Sequence, residues 1–88
     1  MFYYTYLLQS LKNNSFYIGY TSDLGKRVRE HNSGKSKSTK PLIPYKLIYY
    51  EAFLNRIDAK RREVYLKSGW GLRSLKKMLG KYLSLELK

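Results

Sequence analysis

The sequence predicts an α+β domain, a small three-stranded antiparallel sheet packed by helices in the order ββαβαα. Three observations carry this. Segments rich in aromatic, leucine and β-branched residues recur at 2–9, 16–20 and 45–53. The polar cluster Lys12-Asn13-Asn14-Ser15 separates the first two and makes them a hairpin. Stretches with helix-start residues and helical apolar spacing follow the second and third strands.

The first strand alternates Tyr4, Tyr6 and Leu8 on one face with Tyr3, Thr5 and Leu7 on the other. Both faces are mostly apolar, so it is expected at the centre of the sheet or under good cover. Thr21-Ser22-Asp23 opens a helix that runs to about Asn32, with hydroxyls for the orphan N–H groups and an acid in the first turn. Its apolar residues are few, Leu24 and Val28 at i, i+4, and Ser33-Gly34 ends it. Residues 33–44 hold three lysines, four hydroxyls, a glycine and two prolines, which predicts an open, solvated loop. Asn55 caps a helix over 56–68, closed by Gly69. A last helix covers about 71–84, with Leu72, Leu75, Met78, Leu79 and Tyr82 at helical spacing and Gly80 weakening its middle.

Eighty-eight residues make one domain, since a second core would not fit. Eighteen Lys and Arg against six Asp and Glu give a net charge of +12. That balance suits nucleic acid, whose phosphates attract such a surface by counterion release; a basic protein kept soluble by its charge is the plain alternative. No cysteine is present, which excludes disulfides, thiolate zinc sites and cysteine nucleophiles. The opening Met1-Phe2-Tyr3-Tyr4-Thr5-Tyr6-Leu7-Leu8 is too short and too aromatic for a signal peptide, and no apolar run approaches a membrane span. A cytoplasmic protein is expected.

Three groups of residues can carry chemistry. Arg27 and His31 are four apart and project from one helix face. The first is a permanent guanidinium fork suited to phosphate and the second exchanges protons near neutrality. Spacing alone favours an exposed polar face. Tyr6 and Tyr17 lie on paired strands, so their hydroxyls can converge. Neighbouring Arg, Lys and a metal would lower a phenol pKa from ~10 towards use as a base; taken singly, each tyrosine is better read as core. Glu63 has Ala59 and Leu66 one turn away and is the best hard-metal ligand available. Its alternative is an ion pair with Lys60, Arg62 or Lys67. Asp23 and Asp58 read as helix-start residues, Glu30 and Glu51 as exposed. No Ser-His-Asp order, GxGxxG or P-loop stands out.

Together these residues resemble the GIY-YIG nuclease family. Tyr17-Ile18-Gly19 matches the second motif in full, and Tyr4-Thr5-Tyr6 keeps the final tyrosine of the first. Thr-Ser-Asp-Leu-x-Lys-Arg-Val-x-x-His and Ala-x-x-Arg-Glu-x-x-Leu-Lys also look like the family. The likeness spans about residues 3–68, with the tail as in small stand-alone members. These are similar to the amino-terminal nuclease module of the bacterial excision-repair incision subunit, which points to DNA repair.

The resemblance implies a metal-dependent endonuclease hydrolysing phosphodiester bonds, with one Mg²⁺ or Mn²⁺ as cofactor. DNA is the expected substrate and RNA the alternative. The catalytic positions fall on Tyr6, Tyr17, Arg27, His31 and Glu63. In these roles Tyr6 is the candidate general base, Tyr17 and His31 assist it, Arg27 holds the phosphate and Glu63 anchors the metal. Lys26, acting on a phenol or the backbone, and Lys35, Lys37 and Lys40 in the loop are the expected nucleic-acid contacts. Two departures are visible: Tyr4-Thr5 replaces a glycine and a small apolar residue, and no asparagine follows Glu63. The competing function is a nucleic-acid-binding module that has lost turnover or works only in a complex.

Overall fold

The computed structural model describes residues 1–86; the last two residues of the span read as one domain lie outside it. Strands β1 (Tyr3–Ser10), β2 (Phe16–Thr21) and β3 (Tyr45–Phe53) form one sheet in the order β2-β1-β3. β1 is antiparallel to both neighbours. The helices are α1 (Leu24–Asn32), α2 (Arg56–Lys67), α3 (Gly69–Met78) and α4 (Gly80–Glu86).

The central place of β1 follows from its two apolar faces, and Thr5–Ser10 are all buried. One face carries Leu7, which joins Ile18, Leu66 and Leu75 in a core beneath α2 and α3. The other carries Tyr6 and Leu8, which pack with Tyr45, Leu24, Val28, Leu42 and Ile43. Each fully buried leucine contributes about 1.5–3 kcal/mol, so the sheet is clamped from both sides. Register places Tyr6 opposite Gly19 on one side and Tyr50 on the other.

Local chemistry sets the helix starts. The Asp23 side chain accepts from the Lys26 N–H, and Asn55 accepts from the Ile57 N–H. Asn32 then ties the end of α1 to the start of β3, donating to the Tyr45 carbonyl at 2.9 Å and accepting its N–H at 2.6 Å.

Several expectations change. Gly69 does not close the second helix; it opens α3. Ser68 serves both, ending α2 through its N–H to Tyr65 and capping α3 by accepting from the Gly71 N–H. The expected helix over 71–84 is two helices, broken at Leu79 before Gly80, where helix propensity is weakest. The 33–44 loop is not all open: Thr39 is fully buried and Lys40–Leu42 form a 3₁₀ turn. Glu51 is not simply exposed, because it accepts from Arg62 at 2.8 and 3.0 Å and from the Tyr49 hydroxyl at 2.6 Å. Among the described residues no helix is long and apolar enough to cross a membrane.

Candidate active site

The site assembles around Tyr6. Its ring passes over Gly19 on the neighbouring strand. A Cβ there would stand 2.9 Å from Tyr6 Cε2 and closer still to Cζ and Oη. Glycine is therefore required by close approach, and the approaching neighbour is this phenol.

The phenol ends 2.7 Å from His31 Nε2. His31 is fully buried, against the expectation of an exposed polar face. Leu24, Val28 and His31 lie at i, i+4, i+7, so the histidine completes the inner stripe of α1. Its Nδ1 lies 2.8 Å from the buried Thr39 hydroxyl. Arg27, one turn earlier on α1, sets its guanidinium against the phenol oxygen and pairs with Glu30 at 3.3 Å. The Thr39 hydroxyl turns its own proton to the Ser36 carbonyl at 3.5 Å, so it accepts from Nδ1–H and leaves Nε2 to accept the phenol proton. The Tyr17 ring closes the group, 5.0 Å from the His31 ring and 6.5 Å from that of Tyr6.

Glu63 approaches from α2. Its charge reaches Tyr6, and its carboxylate pairs with Lys67 at 3.0 Å, one of the three partners weighed from sequence. Four of the predicted residues thus touch one another, and the fifth acts on them through its field.

Electrostatics assign the resting protons. Burial pushes the Tyr6 phenol up to about 12; Arg27 opposes this, while Tyr17 and Glu63 add to it. Here desolvation outweighs the one cation in contact. Burial and the Arg27 charge push His31 below its usual 6.5, against a smaller opposite effect of Glu30. At neutral pH the pair is a phenol facing a neutral imidazole.

The expected phosphate contacts lie apart from this cluster. Lys26 is exposed and lines a polar depression with Arg29, Glu30, Ser33 and Lys35. Lys35, Lys37 and Lys40 are exposed on the loop that holds Thr39. Thr39 is the residue sequence reasoning missed, since nothing in a Lys/Ser loop marks one hydroxyl as buried.

Among the described residues no group of three or more His, Cys, Asp or Glu can cage a metal. One carboxylate completed by water and substrate oxygens is a donor set that suits a hydrated Mg²⁺, and Glu63 supplies it. Its pair with a half-exposed lysine holds it by ~0–1 kcal/mol, little enough to exchange.

Known proteins align with this framework. The chain is 43% identical over 65 residues to a UPF0213 protein of Clostridium perfringens, covering 73% of this chain and 69% of that one. It is 49% identical over 57 residues to the UPF0213 protein YazA of Bacillus subtilis, covering 64% of this chain and 58% of the relative. The solution structure of a UPF0213 protein from Bacillus halodurans superposes with a TM-score of 0.56 at 34% identity, covering 89% and 85% of the two chains. A family model described as the GIY-YIG catalytic domain matches residues 2–71, so the Tyr6 cluster lies within the matched region and the chain belongs to the GIY-YIG family.

Proposed function

We propose that this chain is a divalent-metal-dependent endonuclease that hydrolyses phosphodiester bonds in DNA. The carrying observation is the buried hydrogen-bonded series Tyr6–His31–Thr39 beside Arg27 and Glu63. A phenol with a pKa of about 12 is a poor base alone. Joined to a neutral imidazole at 2.7 Å, it can accept a proton from the attacking water while passing its own to Nε2. The water proton then resides on His31 as imidazolium, which gives it up to solvent after bond cleavage. Thr39 accepts the Nδ1 proton throughout and keeps Nε2 turned to the phenol.

Arg27 holds the scissile phosphate and offsets its growing charge. It also holds the phenol oxygen, so phosphate and base share one anchor. Tyr17 walls the ring pair. Glu63 would hold one Mg²⁺ or Mn²⁺, whose chemistry when bound is to polarise the phosphate and stabilise the leaving oxygen. Lys26, Lys35, Lys37 and Lys40 track the backbone on the outer side of α1 and its loop. A fold without such a site has no need of a lone buried histidine bridged between a phenol and a hydroxyl.

The test is incubation with supercoiled plasmid, branched DNA and single-stranded RNA in Mg²⁺, Mn²⁺ or EDTA, with Glu63→Gln and Tyr6→Phe alongside. Metal-dependent DNA nicking lost in both variants is expected. Cleavage surviving Glu63→Gln removes the metal assignment, and DNA binding without cleavage makes the chain a binding module.

A further inference from the structure

Trp70 is the single tryptophan of the chain, and it is 75% exposed. The fold makes little use of it, because α3 packs through Gly71 and Leu75. The Arg73 guanidinium lies over its ring at 5.1 Å. Across the α2–α3 corner, Tyr65 is 44% exposed and also backed by a guanidinium, Arg62 at 5.3 Å. Arg62 is itself held by the two Glu51 oxygens, so that ring is backed by a fixed group.

The corner is rigid. The Ser68 hydroxyl donates to the Tyr65 carbonyl at 2.6 Å and accepts the Gly71 N–H at 3.1 Å. A Cβ at Gly71 would fall within 2.6 Å of the Tyr65 carbonyl carbon, so the two helices touch backbone to backbone. The rings are thus presented by a stiff joint, on the helix pair that also carries Glu63. Further along α2, Lys60 and Arg61 line a depression of their own with Ile57 and Val64.

We infer that Trp70, backed by Arg73, is a stacking site for an unpaired base of single-stranded nucleic acid, with Tyr65 as a second platform. Charge complementarity selects the occupant: a chain of net charge +12 attracts a polyanion. Stacking on cation-backed rings is how single strands are held, since every base offers a π face. Bases inside a duplex are already stacked on one another and cannot reach such a ring. Resting on the nuclease reading, this makes the substrate a branched or flapped DNA with a single-stranded arm.

The lone tryptophan is its own probe. Its fluorescence is followed in EDTA on titration with a twelve-residue oligothymidylate, an abasic oligonucleotide of equal length and polyglutamate. Affinities of Trp70→Ala and Trp70→Phe are read by anisotropy of labelled strands. Quenching by oligothymidylate is expected, with about tenfold tighter binding than the abasic strand. Trp70→Ala should weaken oligothymidylate binding by about fivefold, most of the way towards the abasic level, and Trp70→Phe should restore most of it. Exposure of the ring removes misfolding as an explanation. Equal binding of the two strands, unchanged affinity in Trp70→Ala, or tighter quenching by polyglutamate overturns the inference. No cleavage is needed for this readout, so a failed plasmid assay with quenching intact would sink the nuclease and leave the binding site standing.

Discussion

Gly19→Ala probes the centre of the site without removing a polar group. The new Cβ would stand 2.9 Å from Tyr6 Cε2 and nearer to Cζ and Oη, where ordinary contact begins at about 3.4 Å. The ring must therefore retreat by at least half an ångström, in a position where Tyr6 is only 1% exposed. Overpacking of this kind costs about 1–3 kcal/mol. If the phenol leaves His31, an unsatisfied buried Nε2 adds about 1–3 kcal/mol. The sum, about 2–6 kcal/mol, is a large part of what an 88-residue domain has, roughly 4–13 kcal/mol. A Tm loss of about 10 °C or more is expected in thermal unfolding, since each kcal/mol shifts a domain of this size by ~4–8 °C. Plasmid nicking, measured well below the new Tm, should fall at least 100-fold through displacement of the base. A variant within 2 °C of the parent that still nicks DNA would refute the claim that this glycine exists to admit the Tyr6 ring.

Gly69→Ala and Gly80→Ala are the matching controls, since a Cβ at either meets nothing within 4 Å. Both should be neutral or stabilise by up to ~1 kcal/mol in denaturant melts. Thr39→Val should leave the Nδ1 N–H buried and unpaired, lowering stability by about 1–3 kcal/mol and nicking by tenfold or more. Thr39→Ser should recover most of both. The pH profile follows from His31 being needed neutral: nicking should lose its acid limb at a midpoint below 6.5 and stay flat above neutrality. In the unfolded chain His31 takes a proton near 6.5 and in the folded one only lower, so unfolding free energy should also fall as pH drops below about 6.5, and not in His31→Gln. Replacing Lys35, Lys37 and Lys40 with Ala should reduce the log–log salt slope of duplex binding by about 2–3, read by anisotropy, and an unchanged slope would remove the loop from the interface.

The sheet was legible because each strand announces itself by aromatic and β-branched residues, and β1 by apolar residues on both faces. The cap Asn55 was legible as a local hydrogen bond between near neighbours, whereas Asp23, read as a first-turn acid behind capping hydroxyls, is itself the cap of α1. The buried state of His31 was on the page in the spacing Leu24, Val28, His31, but a histidine does not count as apolar in such a stripe. Thr39 and the Glu51–Arg62 pair were not legible. Their partners come from other elements, and only the packed fold brings them together. The upward push of burial on the Tyr6 phenol was not legible, because the sequence counts charges and does not count the water that burial removes. The break before Gly80 was foreshadowed by the glycine itself; the loss of a loop between α2 and α3 was not, since one serine does both jobs.

The helix that Ser68 starts runs beyond the matched region, which takes in only its first three residues, to 71. Leu75, beyond that border, is 2% exposed against Leu7, Ile18 and Leu66, with Leu72 and Leu79 beside it. A fragment cut where the shared pattern ends would keep every residue around Tyr6 and yet lay bare the underside of the sheet. A graft of this nuclease-like module into another protein would therefore have to carry α3 along or bring its own lid for Leu7.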